Sequence, residues 1–86
     1  MPHRVVLFTK RDCGPCKRAK NFVRTNRVEP LVVLEKENHP ALVAAFDLNV
    51  YPTLVVADGT ELVRKHEGVA EVTANIKQEV FNAFGV

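Results

Sequence analysis

Apolar residues fall along this chain in two kinds of pattern. Val5–Phe8, Leu31–Leu34 and Thr53–Ala57 are short runs almost free of polar interruption, which predict strands buried on both faces. Between and after them the apolar positions spread to helical spacing. Pro15, Ala19, Phe22 and Val23 form one stripe with Lys17, Arg18, Lys20 and Arg24 around it, the arrangement of an amphipathic helix. Pro15 stands in its first turn, where a missing N–H costs nothing, and Asp12 is placed to cap it. Leu42, Val43, Ala45 and Phe46 predict a short second helix, capped by Asn38 with Pro40 in its first turn. Asp58-Gly59 is a hairpin signal leading to a fourth strand near residues 61–66. That strand carries Arg64, Lys65 and His66, which suit a protected sheet edge. Val69, Val72, Ile76, Val80 and Ala83 trace one face of a closing helix. The five phenylalanines, Phe8, Phe22, Phe46, Phe81 and Phe84, are expected in the core.

The predicted order is β-α-β-α-β-β-α, an α/β domain with a four-stranded mixed sheet and helices on both faces. With 86 residues, 47% of them apolar, residues 1–86 are expected to form one domain with one core. No linker, repeat or low-complexity segment divides them. The amino terminus runs straight into Val5–Phe8, so neither a leader nor a membrane span is expected, and the expected location is cytoplasmic.

Charge changes this picture. The net charge is only +2, yet residues 1–27 hold eight bases against Asp12 alone, a balance of +7. The remaining residues hold four bases and nine acids, a balance of −5. A basic face is therefore expected near the amino-terminal third, suited to an acidic partner. No nucleic-acid-reading motif accompanies it, so nucleic acid is not an expected partner.

Cys13 and Cys16 are the only cysteines, and they bracket Gly14-Pro15 at the junction of the first strand and helix. Their loop is too short for a framework disulfide to stabilise much. In a reducing compartment such a pair is catalytic or metal-binding. Zinc normally needs four ligands, and His3, His39 and His66 have no ligand spacing, so no metal is expected. An ordinary thiol with a pKa of about 8.5 is about 3% ionised at pH 7. Cys13 sits at a helix N-terminus beside Lys10, Arg11, Lys17 and Arg18, which favours its thiolate. Lowering the pKa to about 7 takes about 2 kcal/mol.

With Cys13-Gly14-Pro15-Cys16-Lys17, Val50-Tyr51-Pro52-Thr53, Asp58-Gly59 and Gly68 in this order, nearly the whole chain resembles the thioredoxin/glutaredoxin superfamily. The Cys-Gly-Pro-Cys tetrapeptide and the Pro-Thr pair resemble thioredoxins. The short length and Thr9-Lys10 resemble glutaredoxins and the glutaredoxin-like hydrogen donors of ribonucleotide reductase. Two departures stand out: Asp12 occupies the position of the usual tryptophan, and Leu7 that of the buried acid thought to deprotonate the second cysteine. Lys10 matches a position that contacts a glutathione carboxylate, whereas the Gly-Gly-acid segment for its other end is reduced to Gly68-Val69-Ala70-Glu71.

The resemblance implies a thioredoxin fold and a protein disulfide reductase with no bound cofactor beyond a redox-active Cys13–Cys16 disulfide. Cys13 would be the nucleophile and Cys16 the resolving thiol, supported by Gly14, Pro15, Lys10 and Lys17. Tyr51, Pro52 (expected cis) and Gly68 would bind substrate. A Gly-Pro spacer implies a reducing couple nearer about −270 mV than that of a disulfide oxidant. The expected partners are disulfide-containing proteins, with thioredoxin reductase as electron donor and the protein itself a monomer. The alternatives are a glutathione-dependent glutaredoxin or ribonucleotide reductase hydrogen donor, and a non-enzymatic thioredoxin-fold binding module.

Overall fold

The structure is a computed structural model, and it describes residues 3–84. Strand β1 (Arg4–Thr9) leads to helix α1 (Gly14–Thr25), then to β2 (Val32–Glu35) and a single 3-10 turn at Lys36–Asn38. Helix α2 (Pro40–Ala45), hairpin strands β3 (Thr53–Asp58) and β4 (Glu61–Glu67), and helix α3 (Val69–Phe84) complete the chain. The sheet order is β2-β1-β3-β4. β1 is parallel to β2 and antiparallel to β3, and β3 is antiparallel to β4. This is the four-stranded mixed sheet of a thioredoxin fold.

Side-chain alternation along the central strands divides the core in two. Val5 and Leu7 of β1 and Leu54 and Val56 of β3 pack on one face against Ala19, Val72, Ile76 and Val80 of α1 and α3. Phe8, Val55 and Ala57 point to the other face, where Phe46 and Leu48 cover them at the end of α2. Burying each of the large side chains contributes about 1.5–3 kcal/mol. Ala19 is fully buried, and its small side chain lets α1 lie close to the sheet. The two packed faces fix β1, and β1 delivers the Cys13 turn.

Several expectations need correction. β2 is an edge strand rather than one buried on both faces: Val32 and Val33 are 52% and 41% exposed. An apolar run does not reveal whether a strand has one neighbour or two. Phe81 and Phe84 lie on the exposed side of α3, because Val72, Ile76 and Val80 already occupy its inward stripe. Asn38 ends the 3-10 turn, and His39 takes the N-cap position of α2 without a side-chain cap bond. The hairpin loop is Gly59-Thr60, with Asp58 still paired to Glu61. Gly59 supplies the positive φ of 64° there.

Neither α1 nor α2 stops at a glycine. Arg27 and Asp47 adopt left-handed φ values of 51° and 53°. Val28 and Leu48 then donate their N–H groups back to the Val23 and Val43 carbonyls, each at 3.0 Å. Both donors are buried apolar residues, so each helix ends by folding an apolar side chain beneath its last turn. The helix ends are held by packing, which offsets the cost of a non-glycine residue at positive φ.

Glu79 sits among the apolar positions of α3 and is only 7% exposed. Arg64 Nε and Nη2 each donate to its carboxylate at 2.8 Å, and His66 Nε2 approaches it at 2.7 Å. The Arg64 hydrogen bonds lower the Glu79 carboxyl from 4.5 to about 2; burial opposes them and His66 adds to them. This network ties α3 to β4, and two of its three members lie on the strand expected only to carry surface charge. Among the described residues, no helix is long and apolar enough to cross a membrane.

The depressed Glu79 pKa makes a stability prediction. Its contribution is complete above pH 4.5, the unfolded value, and is lost as pH falls towards 2. In denaturant titrations, wild type should lose about 2–3 kcal/mol relative to Glu79→Gln between pH 5 and pH 2. Parallel pH profiles for the two proteins would contradict this account.

Candidate active site

Cys13 is the N-cap residue of α1, with φ −119° and ψ 108°. Its Sγ accepts a hydrogen bond from the Cys16 N–H at 3.2 Å, and its carbonyl accepts the Lys17 N–H at 3.1 Å. The sulfur therefore satisfies one of the amides that every helix start leaves unpaired. Asp12 does not cap the helix. It turns through φ 53°, which swings the chain from β1 into α1 and leaves the cap position to Cys13. Gly14 and Pro15 form the first turn, and no atom lies within 4 Å of a Cβ added at Gly14.

Cys13 and Cys16 form a disulfide with Cα atoms 5.2 Å apart. Both are buried, Cys13 at 5% exposure slightly less completely than Cys16 at 1%. Leu7 is fully buried in the core and is not ionisable. The Thr9 hydroxyl is also buried and has no hydrogen-bond partner.

The loop before β3 faces the cysteines. Cys13 Sγ lies 4.0 Å from the Tyr51 carbonyl oxygen, and the Tyr51–Pro52 peptide is cis. A second cis peptide, Glu29–Pro30, had no sequence signal. The Pro52 carbonyl accepts the Gly68 N–H at 2.8 Å, while the Gly68 carbonyl accepts the Val72 N–H at 2.9 Å. Gly68 thus joins the loop to the first turn of α3, at φ 90°. Cys13, Cys16, Tyr51, Pro52 and Gly68, the first and last of them 55 positions apart in sequence, meet at one end of the sheet.

The 3-10 turn between β2 and α2 braces this site, a role the sequence did not signal. Glu37 Oε2 accepts the Arg11 N–H at 3.2 Å, and Lys36 Nζ lies 5.5 Å from the centre of the Tyr51 ring. Desolvation alone would raise the Glu37 carboxyl. Hydrogen bonds from its own and the Arg11 backbone, with the charges of Arg11 and Lys36, hold it below its ordinary value. Burial raises the Tyr51 phenol, and the Glu37 charge adds to that effect. The phenol donates to the Leu48 carbonyl at 3.3 Å.

Beside the disulfide opens a cleft of about 300 Å³ lined by Lys10, Arg11, Asp12, Cys13, Cys16, Lys17, Lys20 and Glu35. Lys10 and Lys17 are exposed. Among the described residues, no group of three or more His, Cys, Asp or Glu side chains is placed to hold a metal ion. The arrangement suits thiol chemistry: a cysteine pair at a helix start, the first slightly more exposed than the second, with N–H groups and cations that favour a thiolate.

Comparison with known proteins agrees with this geometry. The glutaredoxin family model matches residues 5–59. Thioredoxin C-3 of Corynebacterium nephridii is 40% identical over 60 residues, covering 65% of this chain and 41% of the relative. The chain therefore spans about two fifths of the length of that curated relative. Thioredoxin from Trypanosoma brucei brucei superposes with a TM-score of 0.74 at 18% identity, covering 99% of this chain and 77% of that one. Malassezia sympodialis thioredoxin gives 0.74 at 17% identity, covering 92% and 76%. At such identities these two structures establish the shared fold.

Gly68 offers a test of the loop geometry. Gly68→Ala meets no neighbouring atom, so its effect is backbone strain at φ 90°, about 1–2 kcal/mol. The Gly68 anchor on Pro52 should loosen, and denaturant titrations should show a loss of about 1–2 kcal/mol. An unchanged midpoint would contradict the strained-turn reading of Gly68.

Proposed function

The chain belongs to the glutaredoxin family, within the thioredoxin/glutaredoxin superfamily, and from that premise we propose that it reduces protein disulfides through a Cys13/Cys16 dithiol–disulfide cycle. The observation that carries this reading is Cys13 at the N-cap of α1, its sulfur hydrogen-bonded by the Cys16 N–H and 4.0 Å from the Tyr51 carbonyl. The same N–H that meets the sulfur in the disulfide stabilises a thiolate after reduction.

In the reducing half-cycle the Cys13 thiolate attacks one sulfur of the substrate disulfide. A Cys13–substrate disulfide forms, and the other substrate sulfur leaves as a thiolate and takes up a proton. Cys16 gives its proton to solvent and attacks Cys13 Sγ. The Cys13–Cys16 disulfide forms, the second substrate sulfur leaves, and two electrons have passed to the substrate. Leu7 is not ionisable and supplies no base for Cys16. Tyr51 offers its backbone to an extended substrate segment, and Gly68, whose N–H and carbonyl are taken by Pro52 and Val72, holds that loop in place.

We assign re-reduction to a thioredoxin reductase, on the Cys-Gly-Pro-Cys sequence and on Val69-Ala70 following Gly68, where glutathione binding would call for a second glycine. The family match and Lys10 favour the second reading, reduction by glutathione, including service as a hydrogen donor to ribonucleotide reductase. Turnover of a protein disulfide with reductase and NADPH, against turnover with glutathione and its reductase, separates the two. Either activity requires a reducing compartment, which is where we place the protein.

The cysteine roles give a sharper prediction. Cys13→Ser should abolish reduction of a protein disulfide. Cys16→Ser should accumulate a covalent adduct of Cys13 with one substrate chain, visible as a mass increase that a reductant reverses. An adduct on Cys16 in the Cys13→Ser protein, or undiminished partner function without Cys13, would contradict the assignment and favour a non-enzymatic module.

A further inference from the structure

The cleft beside the disulfide contains more charge than thiolate activation uses. Lys10, Arg11, Lys17 and Lys20 line it together with Cys13 and Cys16, opposed only by Asp12 and Glu35. All four cations are exposed. Among the described residues, Lys10, Lys17 and Lys20 have no ion-pair partner, since the three ion pairs present belong to Arg64, Lys65 and His66. The Arg11 side chain hydrogen-bonds Asn38 at 3.5 Å, and its charge also acts on Glu37. Side chains of one sign that share a concave wall repel one another in the free protein, and anionic groups entering the cleft relieve that repulsion.

Cys13 also has a neutral neighbour: the Tyr51 carbonyl lies 4.0 Å from its sulfur, next in sequence to Val50, which is 42% exposed. A chain reaching Cys13 thus meets both loop backbone and the cationic cleft. We propose that the preferred substrate is a protein disulfide whose reacting cysteine is flanked by aspartate or glutamate, with those carboxylates held by Lys10, Arg11, Lys17 and Lys20. This selectivity rests on the disulfide-reductase reading and adds the substrate class to it. The cations are solvent-exposed and act over a Debye length of about 10 Å at 0.1 M salt, so the preference belongs to low and moderate ionic strength.

Three peptide disulfides identical except for flanking Asp, Asn or Lys residues test the proposal in single turnovers with the pre-reduced protein. At low salt the Asp-flanked peptide should react about tenfold or more faster than the Lys-flanked one, and the ratio should shrink towards unity at about 1 M salt, where the Debye length is about 3 Å. In Lys17→Glu/Lys20→Glu the order of the two should reverse. Equal rates for all three peptides, or an order unchanged in the charge-reversed protein, would overturn the proposal and leave the reductase reading intact. Failure to reduce any peptide would overturn that reading and the proposal with it. Oxidised glutathione is the control for a small anionic thiol. If its reaction alone depends on salt and on charge reversal, the cleft serves glutathione and the proposal is wrong.

Discussion

A helix start leaves several amides without partners, and in this protein one of them is met by a sulfur. The Cys16 N–H reaches Cys13 Sγ at 3.2 Å, so the N-cap of α1 and the less buried cysteine of the active pair are the same residue. Ser, Thr, Asp or Asn would cap the helix better, but none of them can exchange electrons with a disulfide. The surrounding structure keeps a weak cap in place. Leu7 and Ala19 are fully buried in the core that β1 and α1 share, Pro15 starts the helix without needing a partner for its nitrogen, and Asp12 accepts a positive φ so that the chain arrives in register.

Two networks outside the cysteines hold the walls of the site. On one side Glu37 takes the Arg11 N–H and Lys36 lies over Tyr51, so the 3-10 turn after β2 fixes the strand-to-helix turn and the facing loop together. On the other, Gly68 hydrogen-bonds both Pro52 and Val72. One turn of α3 beyond that junction begins the stripe of Val72 and Ile76 that leads to Glu79, buried and paired with Arg64 and His66. A charged group buried on an otherwise apolar stripe is costly without partners. Here the partners come from β4, which locks the last helix against the hairpin that delivers Gly68.

The order of elements was legible because strand and helix spacing differ along this chain without ambiguity. What escaped was whatever depends on a neighbour. Val32 and Val33 have the sequence of a buried strand and the position of an edge. Arg27 and Asp47 end helices where glycine would have been the signal, because the burial of Val28 and Leu48 holds them there. Asp12 and Asn38 are good capping residues that do not cap, since the turn geometry gives those positions to Cys13 and His39. Within the site, the cysteine pair, Pro52 and Gly68 carried recognisable motifs. Glu37 did not: it lies 26 positions from Arg11, and only the parallel pairing of β1 with β2 brings them together. Glu79 did leave a trace, as the one acid among the apolar positions of α3.

The central claim is that Cys13 is the activated thiol because it caps α1 beside a cationic cleft. The most direct measurement is the pH dependence of alkylation of the reduced protein, with the modified cysteine identified by peptide mass. The account predicts that Cys13 is modified first, with a midpoint clearly below the value of about 8.5 for an ordinary thiol, and that Cys16 lags behind it. Equal reactivity of the two cysteines, or a Cys13 midpoint at or above the ordinary value, would contradict it.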